Sequence, residues 1–284
     1  MKQFILSEKL ITEDFPFYMD IGTHLENVDV HTHDYFELVI ILGGNAIHLV
    51  DDQEFPIKVG DVFVININSF HGYKDVHQLK LCNIMFDLNK LIDYDIDLKK
   101  LSGFQSLFIL EPFYRKHHKF ESKLELDPMQ MIYVEKTLFQ LLNEHEQRKD
   151  GFKPVIRTYF IFLAAFLSRQ FTSGKNTVSD QLFFLAKAIA YIENNYTEQI
   201  RIDQVAAMAY MSERHFRRVF QLNYHMTPTD YLIQLRLNLA CRLLKEGSFN
   251  ITEVAAQCGY SDIGFFSKQF KTRLGKSPKE YRKT

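Results

Sequence analysis

The sequence predicts an α+β chain in two unequal parts. An antiparallel β-barrel with a helical hairpin comes first, and an all-α domain built from a repeated module follows. Three observations predict this. Short alternating or β-branched runs separated by turn residues fill the first 90 residues. Helical periodicity takes over after Pro128. A stretch beginning at Val205 recurs beginning at Val254.

The predicted strands are 17–21, 36–42, 46–50, 55–59, 62–67 and 79–86. Breakers stand between them: Gly43-Gly44, Asp51-Asp52, Gly60-Asp61, and Asn66 with Asn68. Such spacing suggests a sandwich or a small barrel. Residues 91–125 read as irregular. A helix follows over about 129–148, with apolar positions at Met129, Ile132, Leu138, Leu141 and Leu142. A second runs over about 154–171, with Pro154 in its favoured first-turn place. This second helix is apolar nearly all round, so it must be buried in a core or against a partner. Its Val155, Ile156, Tyr159, Phe160, Phe162, Leu163 and Phe166 are read as the contact surface of a homodimer. The boundaries are therefore 1–125 for the barrel, 126–172 for the hairpin, 173–179 for a small polar linker and 180–284 for the helical domain.

A length of 284 residues suits two domains, and 46% apolar with 24% charged residues excludes disorder and fibrous repeats. The net charge of −1 conceals an asymmetry. Residues 180–284 hold 15 Lys/Arg against 10 Asp/Glu, net +5, and the preceding 179 residues are net −6. A basic part joined to an acidic part points to one segment that meets a polyanion. Cys82, Cys241 and Cys258 are odd in number and form no C-x-x-C, which argues against disulfides or a cysteine zinc site and favours a reducing cytosol. The N-terminus lacks the apolar core of a signal peptide, and the most apolar run, 159–167, is far short of the ~20 residues that span a bilayer. A soluble cytoplasmic protein with no membrane partner is expected.

In the repeat, Val205-Ala-Ala-Met-Ala-Tyr-Met-Ser212 matches Val254-Ala-Ala-Gln-Cys-Gly-Tyr-Ser261 at an offset of 49. After a one-residue insertion, Phe220, Pro228 and Tyr231 match Phe270, Pro278 and Tyr281. Each copy reads as a helix-turn-helix. Small Ala206 or Ala255 permits close helix crossing. The turn carries Gly259 in one copy and Tyr210 in the other, where a left-handed backbone would strain a side chain. Ser212 and Ser261 are expected to cap the second helices. Phe216, Val219 and Phe220 would face inward, as would Phe266 and Phe270. The outward faces carry Arg214, Arg217, Arg218 and Gln221 in one copy, and Gly264, Ser267, Lys268 and Lys271 in the other.

This pairing resembles the AraC/XylS family of bacterial transcription regulators. The specific part is Gly259-Tyr-Ser-Asp-x-x-x-Phe266-Ser-Lys-x-Phe270 with Ser277-Pro278-x-x-Tyr281-Arg282. The resemblance implies double-stranded DNA as partner, read in successive major-groove segments by the two outward helices. It also implies contact with RNA polymerase if the protein is an activator. It assigns DNA contact to Ser212, Arg214, Arg217, Arg218 and Gln221, to Arg236 on the connecting helix, and to Ile263, Gly264, Ser267, Lys268 and Lys271. His225 stands where the family often has Gly.

In the first part, His31-x-His33-x3-Glu37 and the later Gly60-x5-Asn66-x-Asn68-x2-His71 resemble the two motifs of the cupin barrel. In that fold such residues can ligate a metal. Three imidazoles and a carboxylate suit zinc, nickel, iron or manganese. Three readings stay open: a divalent metal on His31, His33, Glu37 and His71, an effector pocket edged by His31, His33, Tyr35, Glu37, His71 and Tyr73, or structural histidines. No cofactor is required by the second, in which the cupin-like part senses a small molecule. The run 31–87 looks most like the rhamnose-responsive branch (RhaS/RhaR-like), which leans the effector toward a sugar. The alternative from another class is a metal-dependent cupin enzyme or metal sensor fused to a DNA-binding module, but no catalytic residues are identified and no enzyme is expected.

Overall fold

Eight strands make one sheet in the N-terminal part of the computed structural model, which describes residues 2–8, 15–51, 53–91, 97–112, 123–173 and 180–283. They are β1 Lys2–Phe4, β2 Phe17–His24, β3 Val28–His33, β4 Phe36–Val50, β5 Gln53–Lys58, β6 Asp61–Ile65, β7 His71–Phe86 and β8 Leu124–Glu125. The order is β1-β3-β7-β4-β6-β8, with β2 also on β7 and β5 also on β4. Pairing is antiparallel except between β1 and β3. Among the described residues no pairing joins the two ends, so the sheet is open where a closed barrel was expected.

Gly43-Gly44 does not end a strand. β4 runs through it, and its register against β7 shifts at Ile41, Gly43 and Asn45. Val39 and Ile41 before the shift and Ala46 after it share one core cluster, so the parity of the inward face changes within the strand. Bulges do this, and glycine marks them. Gly44 has φ +70, and a Cβ there would lie 2.2 Å from the His77 carbonyl oxygen.

The hairpin is α1, Pro128–Gln147, and α2, Phe152–Ser173. Asp127 caps α1 in a box with Gln130, with Pro128 in the first turn. Part of the stretch read as irregular is helical, at Ser102–Phe104 and Gln105–Leu110. It lies hard against α2: a Cβ on Gly103 would stand 1.9 Å from the Ser168 carbonyl oxygen. On its sheet side, α2 sets Phe160 against Phe17 and Phe86, with ring centroids 6.2 and 4.8 Å apart. Ile156, Phe160 and Leu163 are thereby fully buried within one chain. They are core, not the dimer surface expected from the sequence.

Seven helices follow among the described residues: α3 Asp180–Asn195, α4 Ile202–Met208, α5 Glu213–Tyr224, α6 Pro228–Glu246, α7 Ile251–Gln257, α8 Ile263–Leu274 and α9 Pro278–Tyr281. The chain divides into two units, Met1–Phe183 and Phe184–Thr284. Residues 174–179, most of the expected linker, lie outside the described residues, as does Asp52. No described helix is long and apolar enough to cross a membrane.

Candidate DNA-binding face and effector cavity

In the helical unit, α4-turn-α5 and α7-turn-α8 are two copies of one arrangement. Tyr210 and Gly259 occupy equivalent turn positions with φ +54 and +80. The amides of Met211 and Tyr260 donate equivalently to Ala206 and Ala255 carbonyls. The caps then differ. Ser212 accepts from the His215 amide, but in the second copy Asp262, not Ser261, caps the helix, accepting from Phe265. The extra residue is therefore Ser261, inside the turn, and from the cap onward the offset is 50. Asp suits the site as well as Ser, and its charge also faces the positive end of the helix.

With that offset, Arg214, Arg217, Arg218 and Gln221 correspond to Gly264, Ser267, Lys268 and Lys271. Arg214, Arg218 and Gln221 form an exposed stripe at i, i+4 and i+7, and Gly264, Lys268 and Lys271 form its counterpart. Phe216 and Phe220, and Phe266 and Phe270, are buried beneath. Arg217 is held to one side, on Glu213 at 2.7 Å and Thr229 at 3.3 Å. Ser267 is half-buried. Ile263 and Phe265 are exposed at the start of α8, 42% and 53%. Phe265 was missed because the uncorrected offset pairs it with buried Phe216, whereas its true counterpart is His215.

Arg236 is placed differently from the sequence expectation. It is half-buried, donates to the Tyr196 and Glu198 carbonyls at 2.6 and 2.7 Å, and stacks over Tyr260 at 5.4 Å. It fastens α6 to the loop after α3 and to the second turn, and is a scaffold group rather than part of the outward face. Arg273 of α8 pairs with Asp230 of α6. His225 ends α5 in the left-handed region, φ +55, taking the place that Gly247 and Gly275 hold in the later helices.

In the sheet unit, Glu37 starts the inward face of β4 that continues as Val39 and Ile41. His71 and Tyr73 share a face of β7, as do Leu81, Asn83 and Met85. His33 closes β3. Of these side chains, Glu37, His71, Tyr73, Leu81, Asn83 and Met85 line a cavity of about 560 Å³. Its polar lining includes Asp20, His31, Glu37, His71 and Asn83, and Phe4, Tyr35 and Tyr73 supply aromatic surface. That size suits a metabolite. Asp20 and His24 were not singled out from the sequence, although the alternation Tyr18, Asp20, Gly22, His24 along β2 carried the signal.

Two of the lining residues, Glu37 and His71, meet the fully buried His33: His33 Nε2 lies 3.2 Å and His71 Nε2 3.6 Å from the same Glu37 oxygen. All three side chains are buried, and one potential ligand atom from each falls within 4.8 Å of the others. Burial, with neighbouring His31, His48 and His33, pulls the His71 pKa well below the ordinary imidazole value, so this ring is neutral at pH 7. Burial and the charge of Glu37 raise the Tyr35 hydroxyl, which stays a donor. His31 is not one of the three grouped ligands, although its ring packs on that of His71 with centroids 4.2 Å apart. Its Nδ1 is 2.9 Å from the Asp29 carbonyl and its ring lies edge-on to Phe4. His48, unremarked in the sequence, is buried between Phe63 and Tyr73.

Residues 205–284 match the family described as helix-turn-helix domain, and residues 20–151 match the AraC-like ligand binding domain. The chain is 26% identical over 272 residues to the HTH-type transcriptional activator RhaR of Mannheimia succiniciproducens, covering 96% of this chain and 93% of that protein. It is 29% identical over 254 residues to the RhaR activator of Shigella dysenteriae, covering 89% and 86%. Among solved structures, the DNA-binding domain of AdpA in complex with a target DNA is 36% identical over 35% of this chain and 89% of that chain, with a TM-score of 0.33.

Proposed function

The chain belongs to the AraC family of DNA-binding transcription regulators with a ligand-binding domain, and from that premise we propose a cytoplasmic activator whose sheet-unit cavity takes a sugar or a related polyhydroxylated metabolite. The observation that carries the effector class is the cavity lining. Paired hydrogen-bonding groups (Asp20, Asn83, His31) stand beside aromatic surface (Tyr35, Tyr73). Asn83 Oδ1 is buried and has no hydrogen-bond partner among the described residues, and a ligand hydroxyl would satisfy it. The activity is binding, not catalysis. Effector binding shifts the regulator between arrangements only by its differential affinity for them. The relatives' description as activators supports contact with RNA polymerase.

The test is a thermal-shift screen of sugars, polyols and sugar acids against the full chain. A ligand at about 100 times its Kd adds about 2.7 kcal/mol of stability. One or more should raise Tm by several degrees, and Asn83→Leu should abolish the shift. A panel with no hit, or a hit indifferent to Asn83→Leu, places the effector elsewhere.

DNA contact falls to the exposed stripes: Arg214, Arg218 and Gln221 on α5, and Lys268 and Lys271 on α8, with Ile263 and Phe265 available to thymine methyl groups. Ser212 and Arg217 flank the first stripe, and Gly264 and Ser267 permit close backbone approach in the second. Because this unit is net basic, log affinity should fall linearly with log salt, by roughly tenfold or more between 50 and 200 mM. A flat salt profile in gel-shift titrations contradicts this.

The homodimer contact is assigned to α1. Its Met129, Ile132, Tyr133 and Phe139 lie within one 120° arc and are 75%, 61%, 44% and 65% exposed. Continuing this strip, Phe162 of α2 packs on Tyr133. Ile132→Glu with Phe139→Glu should give a folded monomer by sedimentation and circular dichroism. Phe160→Glu, which places a charge in the chain's own core, should unfold the sheet unit instead. A wild type that is monomeric at micromolar concentration contradicts the assignment.

A further inference from the structure

We infer that His33, Glu37 and His71 hold one divalent first-row transition-metal ion beside the effector cavity, which Glu37 and His71 line, so that a bound metabolite could supply a further ligand. His33 is the starting point. Its Nδ1 lies 2.8 Å from the Tyr35 carbonyl oxygen. A carbonyl only accepts, so Nδ1 carries the ring hydrogen, and in the neutral ring Nε2 is a bare lone pair. That lone pair faces Glu37 Oε2 at 3.2 Å. Two acceptors this close, both buried, repel unless positive charge stands between them. A single proton could bridge this pair. It would leave His71 unanswered, since Nε2 of that ring approaches the same carboxylate oxygen at 3.6 Å and both its nitrogens lack a hydrogen-bond partner among the described residues.

One cation within reach of all three atoms answers all of them. Metal–ligand distances of about 2.1 Å place neighbouring ligand atoms about 3.0–3.4 Å apart, close to the two separations found. The donors suit the ion: neutral imidazole and carboxylate, the two-histidine-one-carboxylate set. The surroundings suit it too. The Tyr35 carbonyl fixes the tautomer and orientation of His33, and the Tyr35 ring stacks on it at 4.2 Å and 8°. A divalent ion with one carboxylate keeps a local charge of +1, which favours an oxygen donor from the cavity side, a carboxylate or a hydroxyl of the metabolite. His31 is not a ligand in this arrangement. The ligand-facing half of the inference rests on the cavity being the effector site, and the metal-binding half does not.

The experiment uses the full untagged chain, purified without chelator. Elemental analysis should find about one equivalent of zinc, iron, manganese or nickel. Chelation should lower Tm, and added metal should restore it. Cobalt(II) added to the stripped protein should develop visible d–d absorption that saturates at one equivalent. Glu37→Gln and His33→Ala should each lower metal content at least tenfold, and His31→Ala should keep it. Circular dichroism checks that each variant is folded, and should one fail to fold, wild-type stoichiometry and the cobalt spectrum decide alone. A wild type without metal and without a cobalt spectrum overturns the inference, as does a folded Glu37→Gln that retains its metal. A sugar that stabilises metal-free wild type, when no metal can be loaded, overturns the inference and leaves the effector reading standing. Stoichiometric metal with no responding metabolite does the opposite.

Discussion

Arg218→Ala should weaken operator binding by about 10- to 100-fold while leaving scrambled DNA nearly unchanged. Arg218 is exposed on α5, at the centre of the stripe formed with Arg214 and Gln221. Its one nearby side-chain partner among the described residues is the His215 ring at 3.4 Å, so the fork is not committed as the Arg217 fork is. An arginine that grips guanine O6 and N7 contributes about 1–3 kcal/mol of discrimination. Lys271, a turn further along α8, should behave differently. Its ammonium is a point charge suited to phosphate. Lys271→Ala should weaken all sequences about equally and lower the salt slope by about 1. Isotherms on both DNAs at several salt concentrations separate the two. Equal loss on both DNAs for Arg218→Ala, or relaxed sequence preference for Lys271→Ala, would mean that the roles of these faces are reversed.

Gly259→Ala should dismantle the second module. Gly259 sits at φ +80, where an L side chain costs about 1–2 kcal/mol. Steric contact costs more than this strain: a Cβ there would lie 2.3 Å from the Thr197 carbonyl oxygen, a backbone atom in the loop after α3. That loop is the one Arg236 grips through the Tyr196 and Glu198 carbonyls, so it has little room to withdraw. A total of about 3 kcal/mol or more follows, in the range of the severe single substitutions. For a unit of this size that is about 10 °C or more in Tm. Differential scanning calorimetry of the full chain should show the transition of the DNA-binding unit moving down and the sheet-unit transition holding. Tyr210 shows why the first copy differs. Its side chain is 79% exposed, with its ring edge-on to Phe184 at 4.6 Å, so conformational strain is the main cost there. An unchanged transition in Gly259→Ala would show that the second turn adapts as the first does.

The helical unit was legible because its signals are local: caps, a turn residue with positive φ, and a repeated apolar stripe. The one local error, Ser261 for Asp262, arose because two adjacent residues both make good caps, and only backbone geometry shows where the turn takes its extra residue. Arg236 was misassigned for a longer-range reason, since the carbonyls that bind it lie 40 and 38 residues away. The sheet was less legible. Gly43-Gly44 looks like a break and is a bulge, because pairing with β7 holds the strand together across it. Alternation along a strand groups His31 with His33, and Tyr35 with Glu37. It could not tell that His33 would turn into the cluster while His31, two residues earlier, would stay beside Asp29. The apolar circumference of α2 reads as an interface for want of the 102–110 segment, whose own sequence has no period and which covers that side.

Selection from randomised duplex DNA by the full chain, read by sequencing, tests the central claim most directly. Helix α6 has 19 residues, about 28 Å at 1.5 Å each, and joins two reading helices of equal length. Two such helices on one DNA face, about 34 Å apart, read two blocks one helical turn apart. The expected result is an enriched motif of two blocks about 10 base pairs apart for each chain, with Arg218→Ala erasing preference in one block and preserving it in the other. Absence of any enriched motif, or a single block that survives Arg218→Ala unchanged, would contradict it.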